Sequence, residues 1–184
     1  MTALDKEDPI TRAVFRLAFY TACRRGELLK AEWRWVDFDK AILRVPPEAN
    51  KAAQKKVVLT RPAVELLEGL QKLTRHTGYL FPGRDGRLTT VTKQTARVSK
   101  HADVSFRFHD IRDAVANFVG DLPGATVDTV KHILGHVTAT GATKSYLRAR
   151  NLPDQRRALE KWADELERVV SGDDETNVLE FRKK

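Results

Sequence analysis

The chain has 184 residues, with 33 Lys or Arg against 25 Asp or Glu and a formal net charge of +8. That length suits one domain with a sizeable core. Its single cysteine, Cys23, excludes an internal disulfide and a cysteine-based zinc site. No apolar run approaches the roughly 18 residues of a membrane span, and the first residues lack the apolar core of a secretory signal, so we expect a cytoplasmic protein. The positive surplus favours a polyanionic partner such as DNA or RNA.

The first part of the chain passes from a helical to a strand pattern. Pro9 fits the first turn of a helix, because the apolar residues after it recur at helical spacing. A second helix is predicted over residues 25–33. Three short strands are then predicted at residues 35–39, 41–45 and 56–59. The polar, basic segment 48–55 between the last two strands is typical of a hairpin loop.

From Arg61 onward the pattern is mainly helical. A turn-rich segment, GYLFPGRDG, interrupts it at residues 78–86. Further helices are predicted at residues 89–101, 109–119, 126–134 and 143–148, with a last one opened by Pro153. The sequence therefore predicts a mainly helical α+β domain with a small three-stranded antiparallel sheet over residues 1–172, followed by a flexible tail at 173–184.

Four segments carry residues that can handle a phosphate group, and each has an ordinary alternative. The pair Arg24-Arg25 is either a solvated helix start or a bidentate phosphate clamp. His109 and Arg112, three apart on a helix, form either an exposed polar face or a proton donor beside an anion holder. His136 after Gly135 is either a helix-terminal histidine or part of a site.

The fourth segment carries Tyr146 in TKSYLRA, where a tyrosine beside basic residues is commonly an amphipathic surface residue. Read in order, however, TACRRGE, HDIR, LGH and a tyrosine ten residues later resemble the tyrosine recombinase (phage-type integrase) family. That family's pattern is Arg, a hairpin Lys, His-x-x-Arg, His or Trp, and Tyr. EWRWVDFDKAILRVPPEANK and GYLFPGRDG also resemble its flanking segments, so the resemblance covers about residues 12–150.

The resemblance implies a role for each matching position. Arg24 corresponds to the first catalytic arginine, and Glu27 to the acid that supports it. Lys51 corresponds to the hairpin lysine, with Lys55 and Lys56 as competing candidates. The remaining catalytic positions are His109, Arg112, His136 and the nucleophile Tyr146.

The implied reaction opens a DNA phosphodiester by attack of the tyrosine oxygen, which gives a 3′-phosphotyrosine and a free 5′-hydroxyl. Two guanidiniums, Arg24 and Arg112, would stabilise the added charge on the phosphate. Lys51 would protonate the leaving 5′-oxygen, and His109 would accept the tyrosine proton. Reversal by another strand's hydroxyl gives recombination. No cofactor and no metal are expected.

The resemblance also bears on domain organisation and partners. Residues 1–172 correspond to the catalytic domain, and we expect the family's N-terminal core-binding domain to be absent. The expected partner is double-stranded DNA, bound by a homotetramer, with the free domain a monomer. VLEFR at 178–182 is a candidate edge strand, in cis or in trans.

Two departures from the family pattern stand out. Ala22 replaces the common glycine two residues before the first arginine, and the spacing from His136 to Tyr146 is ten residues where nine is commoner. Two alternative functions use the same residues: a type IB topoisomerase, which would religate the same strand, and a noncatalytic DNA-binding remnant on the same fold.

Overall fold

A computed structural model describes residues 3–49, 54–84, 86–136 and 142–172, without the side chains of residues 142–150. Within these ranges the helices are α1 (Pro9–Thr21), α2 (Arg25–Leu29), α3 (Arg61–Thr74), α4 (Thr92–Ala102), α5 (Asp110–Asp121), α6 (Val127–Leu134) and α7 (Ala142–Ser171). Short 3₁₀ turns lie at Ala3–Lys6, Trp33–Trp35 and Arg75–Thr77. In the part of the chain so described, each helix is too short or too polar to cross a membrane.

The principal sheet has three antiparallel strands in the order β1 (Val36–Asp37), β2 (Ile42–Val45), β3 (Lys55–Val58). Strands β2 and β3 pair with Ile42 opposite Val58 and Val45 opposite Lys55. Burial alternates at the start of β3, where Lys55 is buried and Lys56 is exposed, because successive side chains of a strand point to opposite faces.

Helix α1 lies at the centre of the fold and packs against α3, α5 and α7. Asp8 caps its N-terminus by accepting hydrogen bonds from the amides of Ile10 and Thr11 at 3.0 and 2.9 Å, which satisfies two of the free donors there. Its Phe15 and Leu17 are fully buried. The predicted fold class, mainly helical with a small three-stranded antiparallel sheet, is confirmed.

The second helix is shorter than predicted, because the chain beyond it pairs with a different segment. Helix α2 ends at Leu29. The Leu80 amide then donates to the Ala31 carbonyl at 3.0 Å, and the Trp33 amide donates to the Gly78 carbonyl at 3.0 Å. Residues 78–80 of the turn-rich segment thus form backbone pairing, and they lead into a second small sheet of β4 (Pro82–Gly83) and β5 (Gly86–Arg87) that was not predicted.

The prediction of a new helix at Pro153 is wrong, since α7 runs through this residue from Ala142 to Ser171. An interior proline removes one helical hydrogen bond and crowds the preceding turn. Tertiary contacts beyond it outweigh that cost. Arg156 donates to the Leu59 carbonyl at 3.1 Å, and the Trp162 indole donates to the Phe19 carbonyl at 2.8 Å.

Candidate active site

The first arginine of the site lies where α1 ends and α2 begins. Ala22 closes α1 in the left-handed conformation, with φ 50° and ψ 28°, and Arg24 is the N-cap residue of α2. The left-handed region costs a residue with a Cβ roughly 1 kcal/mol, a strain that a glycine would avoid at this position. The turn leaves the Arg24 side chain 37% exposed.

Glu27 lies beneath Arg24 and receives three hydrogen bonds. Its Oε1 accepts from Arg24 Nη1 at 3.0 Å, and its Oε2 accepts from the Arg24 backbone amide at 3.0 Å. Oε2 also accepts from Lys55 Nζ at 3.0 Å. Glu27 and Lys55 side chains are only 2% and 6% exposed, so this is a buried ion pair.

The charges of this cluster keep Glu27 ionised. Burial would raise the pKa of the Glu27 carboxyl, but the Lys55 ammonium and the hydrogen bonds from Arg24 more than offset it and hold the pKa below its ordinary value. The same burial raises the pKa of the neighbouring Cys23 thiol, so this cysteine is an inert part of the core.

Arg112, on α5, is 3% exposed and joins the ends of two helices. Its Nη1 donates to the carbonyl of Ala22 at the end of α1, and its Nη2 donates to the carbonyl of Leu134 at the end of α6 at 3.0 Å. Helix ends leave such carbonyls without helical partners. Burial, followed by the charge of Arg24, lowers the pKa of Arg112, but a guanidinium stays protonated in proteins.

Two histidines lie on the exposed side of this cluster. His136 follows Gly135 (φ 69°), and its amide donates to the Lys131 carbonyl at 2.8 Å, which closes the end of α6. Desolvation, and then the charges of Arg24 and Arg112, lower the pKa of His136. His109 precedes α5 and is 67% exposed, with its Nε2 3.9 Å from Asp113 Oδ1.

Gly135 is the point where three elements of the site meet. A Cβ at this position would lie 3.2 Å from Cδ and 3.3 Å from Cε of Lys55, and 3.4 Å from Nη1 of Arg24. The glycine therefore serves both a left-handed backbone and a close approach. It allows the end of α6 to rest on the stem of Lys55.

The structure thus brings together Arg24, Glu27, Arg112 and His136, with His109 close enough to influence the His136 pKa. Two predicted site positions fall wholly or partly outside the described residues. Lys51 lies outside the described residues, and Tyr146 lies within the α7 backbone while its side chain falls outside the description.

The two candidate lysines within the described residues, Lys55 and Lys56, differ in placement. Lys55 points into the cluster and is paired with Glu27, whereas Lys56 is exposed on the opposite face of β3. The role of the Ala22 and Leu134 carbonyls in holding Arg112 was missed by sequence reasoning, because backbone acceptors leave no signal in residue types. The inward orientation of Lys55 could have been predicted, because residues two apart in a strand share a face and Val57 is apolar.

Comparison with known proteins identifies relatives for most of the chain. Residues 1–151 match the profile described as the Phage integrase family. The prophage integrase IntZ of Escherichia coli (strain K12) is 27% identical over 166 residues, which cover 88% of this chain and 40% of IntZ. The integrase of Enterobacteria phage P4 is 25% identical, covering 83% of this chain and 39% of that protein. The chain thus spans about two fifths of the length of these relatives.

Solved structures share the fold at lower identity. The integrase from mycobacterium phage Brujita superposes with a TM-score of 0.67 at 21% identity, covering 88% of this chain and 56% of that one. XerA recombinase superposes with a TM-score of 0.58 at 20% identity, covering 83% of this chain and 57% of that one.

Proposed function

Because this chain belongs to the Phage integrase family, we propose that it breaks and rejoins DNA through a covalent bond between the DNA phosphate and Tyr146. The observation that carries the proposal is the convergence of two guanidiniums, Arg24 and Arg112, with His136 on one side of a buried Lys55–Glu27 pair. The cations Arg24, Arg112 and Lys55 outnumber the single carboxylate of Glu27. The resulting excess of positive charge suits an anion that gains charge during reaction.

In the first step the Tyr146 oxygen attacks the phosphorus and its proton passes to His109. A P–O bond to tyrosine forms, and the bond from phosphorus to the 5′-oxygen breaks. Lys51 supplies a proton to that oxygen, which leaves as a 5′-hydroxyl. Arg24 and Arg112 hold the nonbridging oxygens, and His136 donates a hydrogen bond to one of them. The 3′-phosphotyrosine then reacts with the 5′-hydroxyl of another strand, which restores the tyrosine.

Lys51 is the proposed general acid because it corresponds to the hairpin lysine of the family pattern, and the placement of the two competing lysines supports that choice. Lys55 Nζ is engaged by Glu27 at 3.0 Å in a buried pair, and Lys56 is exposed on the other face of the strand. Exchange between two duplexes requires four cleaved strands, so the working state is a homotetramer on DNA, and the free chain is a monomer.

Covalent trapping tests the proposal. The protein is incubated with supercoiled plasmid in EDTA, quenched with SDS, and assayed for protein-linked DNA. Wild type and a Tyr79→Phe control should form the adduct, and Tyr146→Phe should not. Binding of the plasmid without an adduct in wild type would contradict the proposal in favour of a noncatalytic DNA-binding protein. Relaxed circles without exchange between two plasmids would favour a topoisomerase.

A further inference from the structure

Lys55 is buried and paired with a carboxylate, unlike a lysine that is free to donate a proton to a substrate. Lysine is almost never fully buried unless it is paired, and here Nζ lies 3.0 Å from Glu27 Oε2 with both side chains at most 6% exposed. Removing one partner of such a pair leaves an uncompensated buried charge. The remaining partner then reorganises around whatever counter-charge is nearest.

For Glu27 the nearest alternative counter-charge is Arg24. At present Lys55 and the Arg24 amide share Oε2, and the Arg24 guanidinium reaches only Oε1, through Nη1 at 3.0 Å. Carboxylates commonly bind arginine through two parallel hydrogen bonds. Lys55 therefore limits Glu27 to one hydrogen bond with the Arg24 guanidinium and leaves the rest of that guanidinium for another anion.

The stem of Lys55 provides a second link. Its Cδ and Cε lie within 3.3 Å of the position that a Gly135 Cβ would take, and Arg24 Nη1 lies 3.4 Å from that position. The stem thus packs under the turn that carries His136. One side chain contacts both Glu27 and the end of α6, so it can fix Arg24 relative to His136.

From this arrangement we infer that Lys55 is a positioning residue, which holds Glu27 so that the Arg24 guanidinium donors not engaged by other described residues stay directed toward the scissile phosphate. Lys55 does not itself protonate the leaving oxygen. The inference rests on the proposed function, since the scissile phosphate belongs to that reaction.

A substrate with sulfur in place of the bridging 5′-oxygen separates the two roles, because a thiolate leaves without a proton. The cleavage position is first mapped from the trapped adducts. Lys51→Met should be slow on the oxygen substrate and recover on the sulfur one. Lys55→Met should be slower than wild type by about 10- to 100-fold on both substrates, as expected for a misplaced group.

The exposed neighbour supplies the control, since Lys56→Met should cleave both substrates as wild type does. Recovery of Lys55→Met on the sulfur substrate would make Lys55 the general acid and overturn the inference. Wild-type rates for Lys55→Met on both substrates would overturn it as well, while leaving the proposed function intact. Failure of wild type to cleave would contradict the proposed function instead.

A test without cleavage decides the inference in that case. NMR of the arginine side chains, with Arg24 assigned from the Arg24→Lys variant, should show a shifted Arg24 Nε–H resonance in Lys55→Met and an unchanged one in Lys56→Met. An unshifted Arg24 resonance in Lys55→Met would overturn the inference. In an active protein, Glu27→Gln combined with Lys55→Met should be no slower than Lys55→Met, because the two residues act through one interaction.

Discussion

The buried floor of the site (Glu27, Lys55 and Arg112) and its exposed rim (Arg24, His109 and His136) differ in what satisfies their polar groups. On the floor, the protein supplies the main partners: Lys55 pairs with Glu27, and Arg112 donates to two helix-end carbonyls. On the rim, His109 is 67% exposed and Arg24 is 37% exposed. The floor is thus fixed by folding, whereas the rim keeps hydrogen-bonding capacity for a ligand.

This difference has a consequence for mutations. A change on the floor removes interactions that hold the fold and the site together, so it should lower both the free energy of unfolding and the rate of cleavage. A change at a rim histidine, His109 or His136, removes an exposed side chain, whereas the third rim residue, Arg24, also binds the buried Glu27. A change at either histidine should lower cleavage or DNA binding while stability stays within about 0.5 kcal/mol of wild type.

Arg112→Met should have the largest effect, because Arg112 belongs to the floor and also faces the phosphate in the proposed reaction. Adduct formation should fall by at least about 1,000-fold, as for loss of a strong transition-state donor. The buried carbonyl of Ala22 and the partly buried carbonyl of Leu134 would lose a charged donor, which should lower the free energy of unfolding by roughly 2–4 kcal/mol. Trapping assays and urea unfolding measure the two losses.

The exposed Arg25 offers a matched control, since it adjoins the site but does not belong to the floor. Arg25→Met should retain wild-type stability. Unchanged stability in Arg112→Met would show that the helix-end carbonyls find other partners and that the floor is not a structural unit.

His109→Asn should reduce cleavage strongly without affecting stability. Loss of a general base typically costs about 10²- to 10⁴-fold, and the exposed side chain makes only a 3.9 Å approach to Asp113. Trapping rates and thermal unfolding would be compared with His76→Asn, an exposed histidine outside the site. A stability loss in His109→Asn comparable to that of Arg112→Met would remove the distinction between floor and rim.

Gly135→Ala isolates the contact between α6 and the floor. Gly135 and Gly124 both have positive φ, 69° and 78°, but a Cβ at Gly124 would meet no atom within 4 Å. Both alanine variants pay the left-handed strain of about 1 kcal/mol. Only Gly135→Ala should also crowd Lys55 and Arg24, and only it should slow adduct formation. Equal effects of the two substitutions on cleavage would show that the crowding is unimportant.

Much of this arrangement was accessible from sequence, for identifiable reasons. Helix and strand periodicity predicted the mainly helical fold with a three-stranded sheet, because burial imposes those periods directly. The order of the motifs grouped Arg24, Arg112 and His136, which the structure places near one another. The prediction that a new helix begins at Pro153 was wrong, because the tertiary contacts of Arg156 and Trp162 outweigh the local preference of proline against a helix interior.

Most of the features that the sequence did not predict depend on contacts between residues that are far apart in the chain. The β4–β5 pair forms from a segment that reads as turns, and the pairing at Leu80 that ends α2 early involves residues far apart in the chain. Likewise, the choice between Lys55 and Lys56 turns on which face of β3 meets Glu27. Lys51 and Tyr146 stay predictions from the family pattern.

The smallest expected effect concerns the rim histidine and pH. Desolvation and the nearby cations Arg24, Arg112 and Lys55, with His109, hold the pKa of His136 below its ordinary value of 6.5. A bound phosphate would offset these cations and raise that pKa, so the DNA complex should bind more protons than the free protein. Affinity should therefore increase as the pH falls below 6.5, by at most about tenfold per pH unit for one linked proton.

Fluorescence anisotropy in the Tyr146→Phe background, at constant salt, measures this slope of DNA affinity against pH. His136→Gln should flatten it and His76→Gln should not, since only His136 lies among the cations; equal slopes in both variants would place the linked proton on another group.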